Sequence, residues 1–238
     1  MNKKNELSTR SYSPYSDKNE SCYVEGESGL LYPGVRVENI SYPLTISAIR
    51  SAICSCLANE DTPIRVIQTD GISELSEYWK TEFDLEITDI PPSDFSLYDP
   101  FIKLESDSAT IIKHLEKLCS KAIIPHSDFP VAALLKTDMG WIMGVNVEVS
   151  AWSLGLCAER VAIARAISHG CTQFQTMHVY APKSEFCSPC GSCRQVLNEF
   201  MADKEIELHH KDRSHSRHFI HHLLPYGIST NFLKKQYD

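Results

Sequence analysis

Three cysteines and one glutamate carry the strongest indication of chemistry in this chain. Glu159 follows Cys157 by two positions, and Cys190 and Cys193 form a Cys-x-x-Cys pair further along. Three thiolates leave one position of a tetrahedral zinc ion open, which is typical of a catalytic site. A hard carboxylate is an unfavourable ligand beside three soft thiolates, so Glu159 is better interpreted as a general acid–base group next to the metal.

Other interpretations of these residues stay open at this point. A lone Cys-x-x-Cys also occurs in redox pairs and in structural zinc sites, and Cys187 could supply a fourth ligand that closes the site. Glu159 could be an ordinary first-turn glutamate that the helix dipole favours. Arg160 and Arg194 are close to the thiolates in sequence, and either could donate to a sulfur and offset its charge.

The composition narrows the class of protein. The chain has 238 residues, of which 42% are hydrophobic and 23% charged, so we expect one large or two small folded domains. A net charge of −8 argues against a phosphate-backbone binder, so we predict no nucleic-acid partner. No apolar run approaches the ~18–20 residues that span a bilayer. Met1–Arg10 lacks the apolar core of a secretory signal. We therefore expect no membrane partner, and a reducing, cytoplasmic location in which the nine cysteines form no disulfides.

The chain repeats itself. Leu31–Ile53 aligns with Trp141–Ile163 without a gap, at an offset of 110 positions. Pro14-Tyr15-Ser16 matches Pro125-His126-Ser127 with a slip of one residue. Prolines and turn formers cluster in Pro91–Lys103, which predicts two domains, residues 1–100 and 101–238. The identical pairs are Gly34/Gly144, Val35/Val145, Val37/Val147, Glu38/Glu148, Leu44/Leu154, Ala48/Ala158, Arg50/Arg160, Ala52/Ala162 and Ile53/Ile163.

Helices and strands that position these residues alternate along the second copy, which predicts an α/β domain. The stretch from His209 to His222 holds six of the ten histidines, but it crosses a predicted strand, turn and helix, so we expect scattered, solvated rings. The predicted strands are Val131–Lys136, Trp141–Val147, Thr176–Tyr180 and Ile206–His210. The predicted helices are Ser108–Ala122, Leu156–Ser168, Gly191–Phe200 and His218–Leu224.

The chain resembles the cytidine deaminase family. Cys157-Ala158-Glu159-Arg160 and Ser188–Gln195 (SPCGSCRQ) match its zinc-binding pattern. Phe129–Ala133 (FPVAA), Gly144–Glu148 (GVNVE) and Leu223–Gly227 (LLPYG) resemble further family segments. The likeness is close from about residue 107 to 228 and weak from 7 to 95. It implies two tandem three-layer α/β/α domains, each with a mixed sheet of about five strands flanked by helices.

The resemblance also implies an activity, the hydrolytic deamination of cytidine and deoxycytidine to uridine and deoxyuridine in pyrimidine salvage. One zinc per chain would be held by Cys157, Cys190 and Cys193, and Glu159 would carry protons from a zinc-bound hydroxide to the substrate. Ammonia would be the second product.

Further roles follow from the same resemblance. Phe129 would pack against the base, and Asn146 and Glu148 would hold the ribose. The backbone at Ala158 would anchor the polar edge of the base. Tyr226, in the closing segment, is a further candidate for substrate binding.

The first copy keeps the pattern and lacks the chemistry. In the alignment of the two copies, serines occupy the positions of the three cysteine ligands, Ile49 aligns with Glu159, and Arg36 aligns with Asn146. We therefore predict that the first copy binds no zinc. The resemblance implies a homodimer in which Tyr42 or Ile40 of a first copy completes an active pocket. A first copy that merely persists after the duplication, as inert structure, explains its presence equally well. In known two-domain relatives the active half commonly comes first, whereas here it comes second. The serines of the first copy that replace the cysteine ligands are Ser47, Ser73 and Ser76.

Two other functions stay open from the sequence. One is a zinc-dependent deaminase of another heterocycle or of polynucleotide cytosine, the latter disfavoured by the net charge of −8. The other is a non-enzymatic, zinc-stabilised module, which would unfold on zinc removal.

Overall fold

The computed structural model describes residues 3–70, 75–92 and 94–228. The first copy forms a five-stranded mixed sheet in the order β4-β3-β1-β2-β5. Its strands are β1 (Ser21–Gly26), β2 (Leu30–Val35), β3 (Pro63–Asp70), β4 (Glu86–Thr88) and β5 (Ser96–Leu97), and its helices are α1 (Lys3–Ser8), α2 (Ala48–Leu57) and α3 (Ser76–Phe83).

The second copy forms a six-stranded mixed sheet in the order β11-β10-β9-β7-β8-β6. β9 runs parallel to β10 and antiparallel to β7, so the predicted α/β class with mixed sheets and flanking helices is confirmed. Its strands are β6 (Phe101–Ile102), β7 (Ala132–Thr137), β8 (Trp141–Val145), β9 (Phe174–Tyr180), β10 (Glu205–His209) and β11 (His215–Phe219), and its helices are α4 (Ser108–Cys119), α5 (Ala158–Ser168) and α6 (Gly191–Met201).

Equivalent contacts in the two copies explain the sequence repeat. A Cβ at Gly34 would lie 2.2 Å from the carbonyl oxygen of Ala48, and a Cβ at Gly144 would lie 2.2 Å from that of Ala158. Only glycine lets the second strand of each copy approach its helix this closely. The carboxylate of Glu38 accepts from the backbone and side chain of Ser16, as that of Glu148 does from Ser127.

The predicted elements of the second copy are found with small shifts at their ends, with one exception. The sequence predicts a helix over His218–Leu224, but His215–Phe219 forms strand β11, and only Ile220–Leu223 is helical, as one 3-10 turn. β11 pairs antiparallel with β10, whose own side chains are mostly buried. Pairing with a buried neighbour places this polar segment in the sheet, so the prediction of a helix was wrong at residues 218 and 219.

The two copies pack against each other through their central helices. Side chains of α2 and α5 belong to one continuous hydrophobic core. Buried Arg165 on α5 donates through Nε to Ser55 Oγ on α2 at 3.0 Å. Across the described ranges, no helix combines the length and apolarity needed to cross a membrane.

Candidate functional site

The three cysteines of the motif converge at the starts of two helices. Cys157 is the N-cap residue of α5, and Cys190 is the N-cap residue of α6. Their sulfurs are 3.8 Å apart, and all three sulfurs lie within 4.8 Å of one another. Helix N-termini carry partial positive charge, so this position favours thiolates over thiols.

The cluster fits zinc. With Zn–S bonds of about 2.3 Å, two sulfurs of a tetrahedral site lie about 3.8 Å apart, which is the separation of Cys157 and Cys190. Hydrogen bonds from the Cys157 and Cys193 thiols lower the pKa of Cys190, so this sulfur ionises first. Cys193 is fully buried, while Cys190 is exposed, so one side of the cluster faces the cavity described below.

Glu159 lies in the first turn of α5, and its side chain is buried. The residue is 3% exposed and lines the same cavity as Cys157 and Cys190. Burial raises the pKa of its carboxyl to about 7, and the negative charge of Cys190 adds to the shift. A carboxyl with this pKa can both accept and donate a proton near neutral pH.

Three neighbouring residues form hydrogen bonds with other parts of the chain. Cys187 is buried and its thiol donates to the carbonyl oxygen of Val179 at 3.6 Å, and it is not a member of the thiol cluster. Arg160 donates through Nη2 to the carbonyl oxygen of Leu44 at 2.7 Å, across to the first copy. Arg194 holds the loop before Cys190, since it donates to Pro189 O at 2.9 Å and to Ser188 Oγ at 2.7 Å.

A cavity of about 560 Å³ opens in front of the thiols, a volume typical of small-molecule sites. Phe129, Asn146 and Glu148 all line it. Asn146 bridges the backbone, because Nδ2 donates to Phe129 O at 2.9 Å and Oδ1 accepts from Val131 N at 2.8 Å. Burial acts to raise the pKa of the Glu148 carboxyl, but hydrogen bonds from Ser127 Oγ and from the backbone of His126 and Ser127 lower it overall.

The remaining candidates for substrate binding, Ala158, Tyr42 and Tyr226, differ in exposure and in their position relative to the cavity. Ala158 is buried directly after Cys157, at the start of α5, and is not among the residues that line the cavity. Tyr42 is 84% exposed and lines a cavity of the first copy, not the one that holds the thiols. Tyr226 is fully exposed and does not line either of these cavities.

The first copy has a cavity of about 550 Å³ at the equivalent place, and no cysteine is among the described residues that line it. Ser47 Oγ accepts from the backbone nitrogen of Arg50 at 3.4 Å, so this serine caps α2. Ile49 is buried at the position of Glu159. Ser76 begins α3, whereas Ser73 lies outside the described residues.

Sequence reasoning did not single out several residues that build the cavity. Trp152 is 65% exposed at its rim and occupies the position equivalent to Tyr42. Ser127 holds Glu148 in place, and Val179, on β9, and Ala181, directly after it, line the cavity. The available indication in the sequence was that both copies have an aromatic residue at this position, Tyr42 in the first and Trp152 in the second.

Comparison with known proteins bears on the same part of the chain. Residues 105–208 match the family described as cytidine and deoxycytidylate deaminase zinc-binding region. A cytidine deaminase of Sporosarcina psychrophila is 42% identical over 95 residues, which are 40% of this chain and 70% of that protein. A cytidine deaminase of Mycoplasma genitalium is 37% identical over 123 residues, 51% of this chain and 95% of that protein.

Among solved structures, a cytidine deaminase from Burkholderia pseudomallei has 31% sequence identity and a TM-score of 0.48, and the match covers 50% of this chain and 98% of that chain. The family match spans the cysteines and Glu159, and the two curated relatives are matched over more than two thirds of their length. The chain therefore belongs to the cytidine deaminase family of zinc-dependent hydrolytic enzymes.

Proposed function

We propose that this chain converts cytidine and deoxycytidine, with water, to uridine and deoxyuridine and releases ammonia, as a step of pyrimidine salvage. The observation that carries the proposal is that buried Glu159 lines one cavity with Phe129 and with two of the three converging thiols, Cys157 and Cys190. A zinc ion on these thiols supplies a water that is acidic enough to react near neutral pH.

In this proposal Glu159 moves the protons. Its carboxylate takes a proton from the attacking water and gives it to the ring nitrogen beside the amine-bearing carbon. It then takes the second proton and delivers it to the departing amine, so that one residue serves as base and as acid. Burial of Glu159 excludes bulk water from this exchange.

Substrate binding follows from the residues along the cavity wall. Phe129 packs against the base, and the backbone of Ala158 contacts its polar edge, with Ser188 beside it. The amide nitrogen of Asn146 uses one hydrogen for Phe129 O, so its second hydrogen is free for a ribose hydroxyl. Glu148 accepts the hydroxyl hydrogen from the other side.

We further infer one zinc on the cysteines of each chain and none in the first copy. Among the described residues, the first copy has no group of three converging metal-ligating side chains. We place the boundary between the copies at residues 100 and 101, because β5 joins the first sheet and β6 joins the second. Nine free thiols agree with a reducing compartment such as the cytoplasm.

We also infer a homodimer, since Tyr42 does not line the thiol-bearing cavity of its own chain. Its side chain is 84% exposed on the 3-10 turn Tyr42–Leu44, where it is available to a second chain. A closed two-fold dimer of two-domain chains is a common soluble assembly.

The experiment is an ultraviolet assay of purified, untagged, zinc-loaded protein with cytidine and deoxycytidine, with ammonia measured in parallel. We expect equal amounts of deaminated nucleoside and ammonia. A zinc-loaded, folded protein that converts neither nucleoside would refute the proposed activity.

A further inference from the structure

A second cluster of metal-ligating side chains lies on the opposite face of the second sheet. His178 on β9 and Glu207 and His209 on β10 are all buried, and their donor atoms lie within 4.8 Å of one another. Val179 lines the thiol-bearing cavity, and successive side chains of a strand point to opposite faces. His178 therefore points away from that cavity, and the cluster is separate from the cysteines.

The register of the strands brings these side chains together. His178 is paired with Glu207 across the parallel β9–β10 ladder, and His209 is paired with His215 across the antiparallel β10–β11 ladder. Glu207 and His209 are two residues apart, so they share a face. Four side chains from three adjacent strands thus converge on one face.

The distances fit a tetrahedral ion. His178 Nδ1 is 3.2 Å from His209 Nε2, and Glu207 Oε1 is 3.9 Å from the first atom and 3.7 Å from the second. Donor atoms of a tetrahedral zinc site with bonds of about 2.0–2.1 Å lie about 3.3–3.4 Å apart. Movements of a few tenths of an ångström would complete the geometry.

The carboxylate of Glu207 points an unused oxygen at the histidines. The Glu207 side chain is 5% exposed, and Oε1 has no hydrogen-bond partner among the residues that the structure describes. Oε2 accepts from Arg217 Nη2 at 3.0 Å, which fixes the orientation of the group. Metal-binding carboxylates are commonly held in this way through their second oxygen.

His215 supplies a fourth donor on the solvent side. Its Nε2 is 3.9 Å from Glu207 Oε1, and its side chain is 47% exposed. An ion can therefore enter from the edge of the sheet, past this half-exposed side chain. Three imidazoles and one carboxylate are a donor set that suits zinc and similar transition metals better than calcium or magnesium.

We propose that His178, Glu207, His209 and His215 bind a second divalent transition-metal ion of the zinc type. The ion joins β11 to β10 and β9. β11 leads into the 3-10 turn Ile220–Leu223, and Leu223 O accepts from Arg194 Nη1 at 3.3 Å.

Arg194 also holds the loop before Cys190, so the second ion stabilises one support of the cysteine site. Among the residues that the structure describes, the first copy has no strand equivalent to β11, so we assign this site to the second copy alone. With it, the zinc content of a saturated chain becomes about two and not one.

The test counts metal in untagged, full-length protein after saturation with zinc and removal of the excess by gel filtration. We expect about two zinc ions per chain for the unchanged protein and about one for His209→Gln and Glu207→Gln. His218→Gln is the matched control, because His218 lies on β11 with His215 but faces the other side of the sheet, where its Nε2 is 2.9 Å from Ser216 Oγ. It should keep about two.

Cobalt(II) identifies which site is lost. The cysteine site gives strong sulfur-to-cobalt absorption in the near ultraviolet, and this band should persist in the Glu207 and His209 variants. If these variants fail to fold, His215→Gln at the exposed end should still weaken binding of the second zinc by at least about tenfold. One zinc per saturated, unchanged chain would overturn the proposal, as would a His209→Gln protein that still binds the second ion.

Discussion

Arg50 and Arg160 occupy equivalent positions in the two copies and donate reciprocally to the opposite copy. Arg50 Nε donates to Leu154 O at 2.9 Å, and Arg160 Nη2 donates to Leu44 O at 2.7 Å. The two acceptors are themselves equivalent, 110 residues apart in the repeat. Two non-identical halves of one chain thus keep the exchanged contacts of a two-fold symmetric pair.

Arg50→Met tests whether this exchange stabilises the chain. Arg50 Nη2 also donates to Ser153 O at 3.1 Å and Gly155 O at 2.7 Å, so the variant leaves three carbonyls without their charged donor. We expect urea unfolding to give a free energy of unfolding lower by about 1.5–3 kcal/mol, the range for hydrogen bonds to a charged group.

The matched control is Arg65→Met, since Arg65 forms its ion pairs with Glu25 and Glu86 at the surface. Exposed ion pairs contribute about 0–1 kcal/mol, so Arg65→Met should change the free energy of unfolding only slightly. Equal losses for the two variants would contradict a special role of Arg50.

The sequence predicts the fold well where apolar periodicity and repetition coincide. The helix that begins at Cys157 and the paired strands β7 and β8 follow from both signals. Strand β11 could not be found in this way, because His215–Phe219 alternates histidine, serine and arginine and has no apolar face. Its conformation depends on pairing with β10, which is a long-range effect.

The site is predicted unevenly for a related reason. The three thiols lie within 4.8 Å of one another, because Cys157 and Cys190 cap helix starts and each helix start fixes a side chain locally. The partner of Arg160 is 116 residues away in sequence, so adjacency to Cys157 gave no indication of it. The expectation of a solvated histidine stretch was wrong at His209 and His210, which are 2% and 6% exposed because β10 lies inside the sheet.

Glu159→Gln should keep the fold and the zinc and lose nearly all turnover. Glutamine has the same shape but cannot carry a proton, and general acid–base catalysis contributes ~10²–10⁴-fold. A residue that serves both protonation steps should reach or exceed the upper end of that range. Steady-state turnover of cytidine, with zinc counted on the same sample, measures the effect.

Glu185→Gln is the control for that variant, since Glu185 is exposed and does not line the cavity. It should leave turnover unchanged. A Glu159→Gln protein that retains a tenth or more of the activity would exclude Glu159 as the proton carrier.

Ser127→Ala should raise the KM for cytidine, with a smaller effect on kcat. Ser127 Oγ donates to Glu148, and loss of this bond releases the carboxylate from the position in which it would meet the ribose. A hydrogen bond to a charged group contributes about 1.5–3 kcal/mol, which corresponds to a rise in KM of about tenfold or more.

The repeat supplies the control for this prediction. Ser16→Ala removes the same contact, to Glu38, in the copy that lacks the catalytic residues. Ser16→Ala should lower the free energy of unfolding by about as much as Ser127→Ala does, and it should leave the KM for cytidine unchanged. Equal KM for both variants would mean that Glu148 does not position the substrate.

Tyr42→Ala tests whether a first copy contributes to an active site of another chain. Tyr42 is 84% exposed and lines the first-copy cavity, so within one chain it has no route to the substrate. If a second chain brings this side chain to the rim of the thiol-bearing cavity, its removal should raise the KM for cytidine and leave zinc content unchanged. Loss of one buried aromatic contact corresponds to about 1–3 kcal/mol, or a rise in KM of roughly fivefold to a hundredfold.

The mass in solution decides between this arrangement and an inert first copy. Light scattering at assay concentration should give two chains per particle. Ile90→Ala is the control variant, because Ile90 is 72% exposed but does not line either cavity. The control should keep both the mass and the KM. A fully active monomer would reject the dimer, and an unchanged KM for Tyr42→Ala in a proven dimer would show that the first copy serves only as a packing partner for α5.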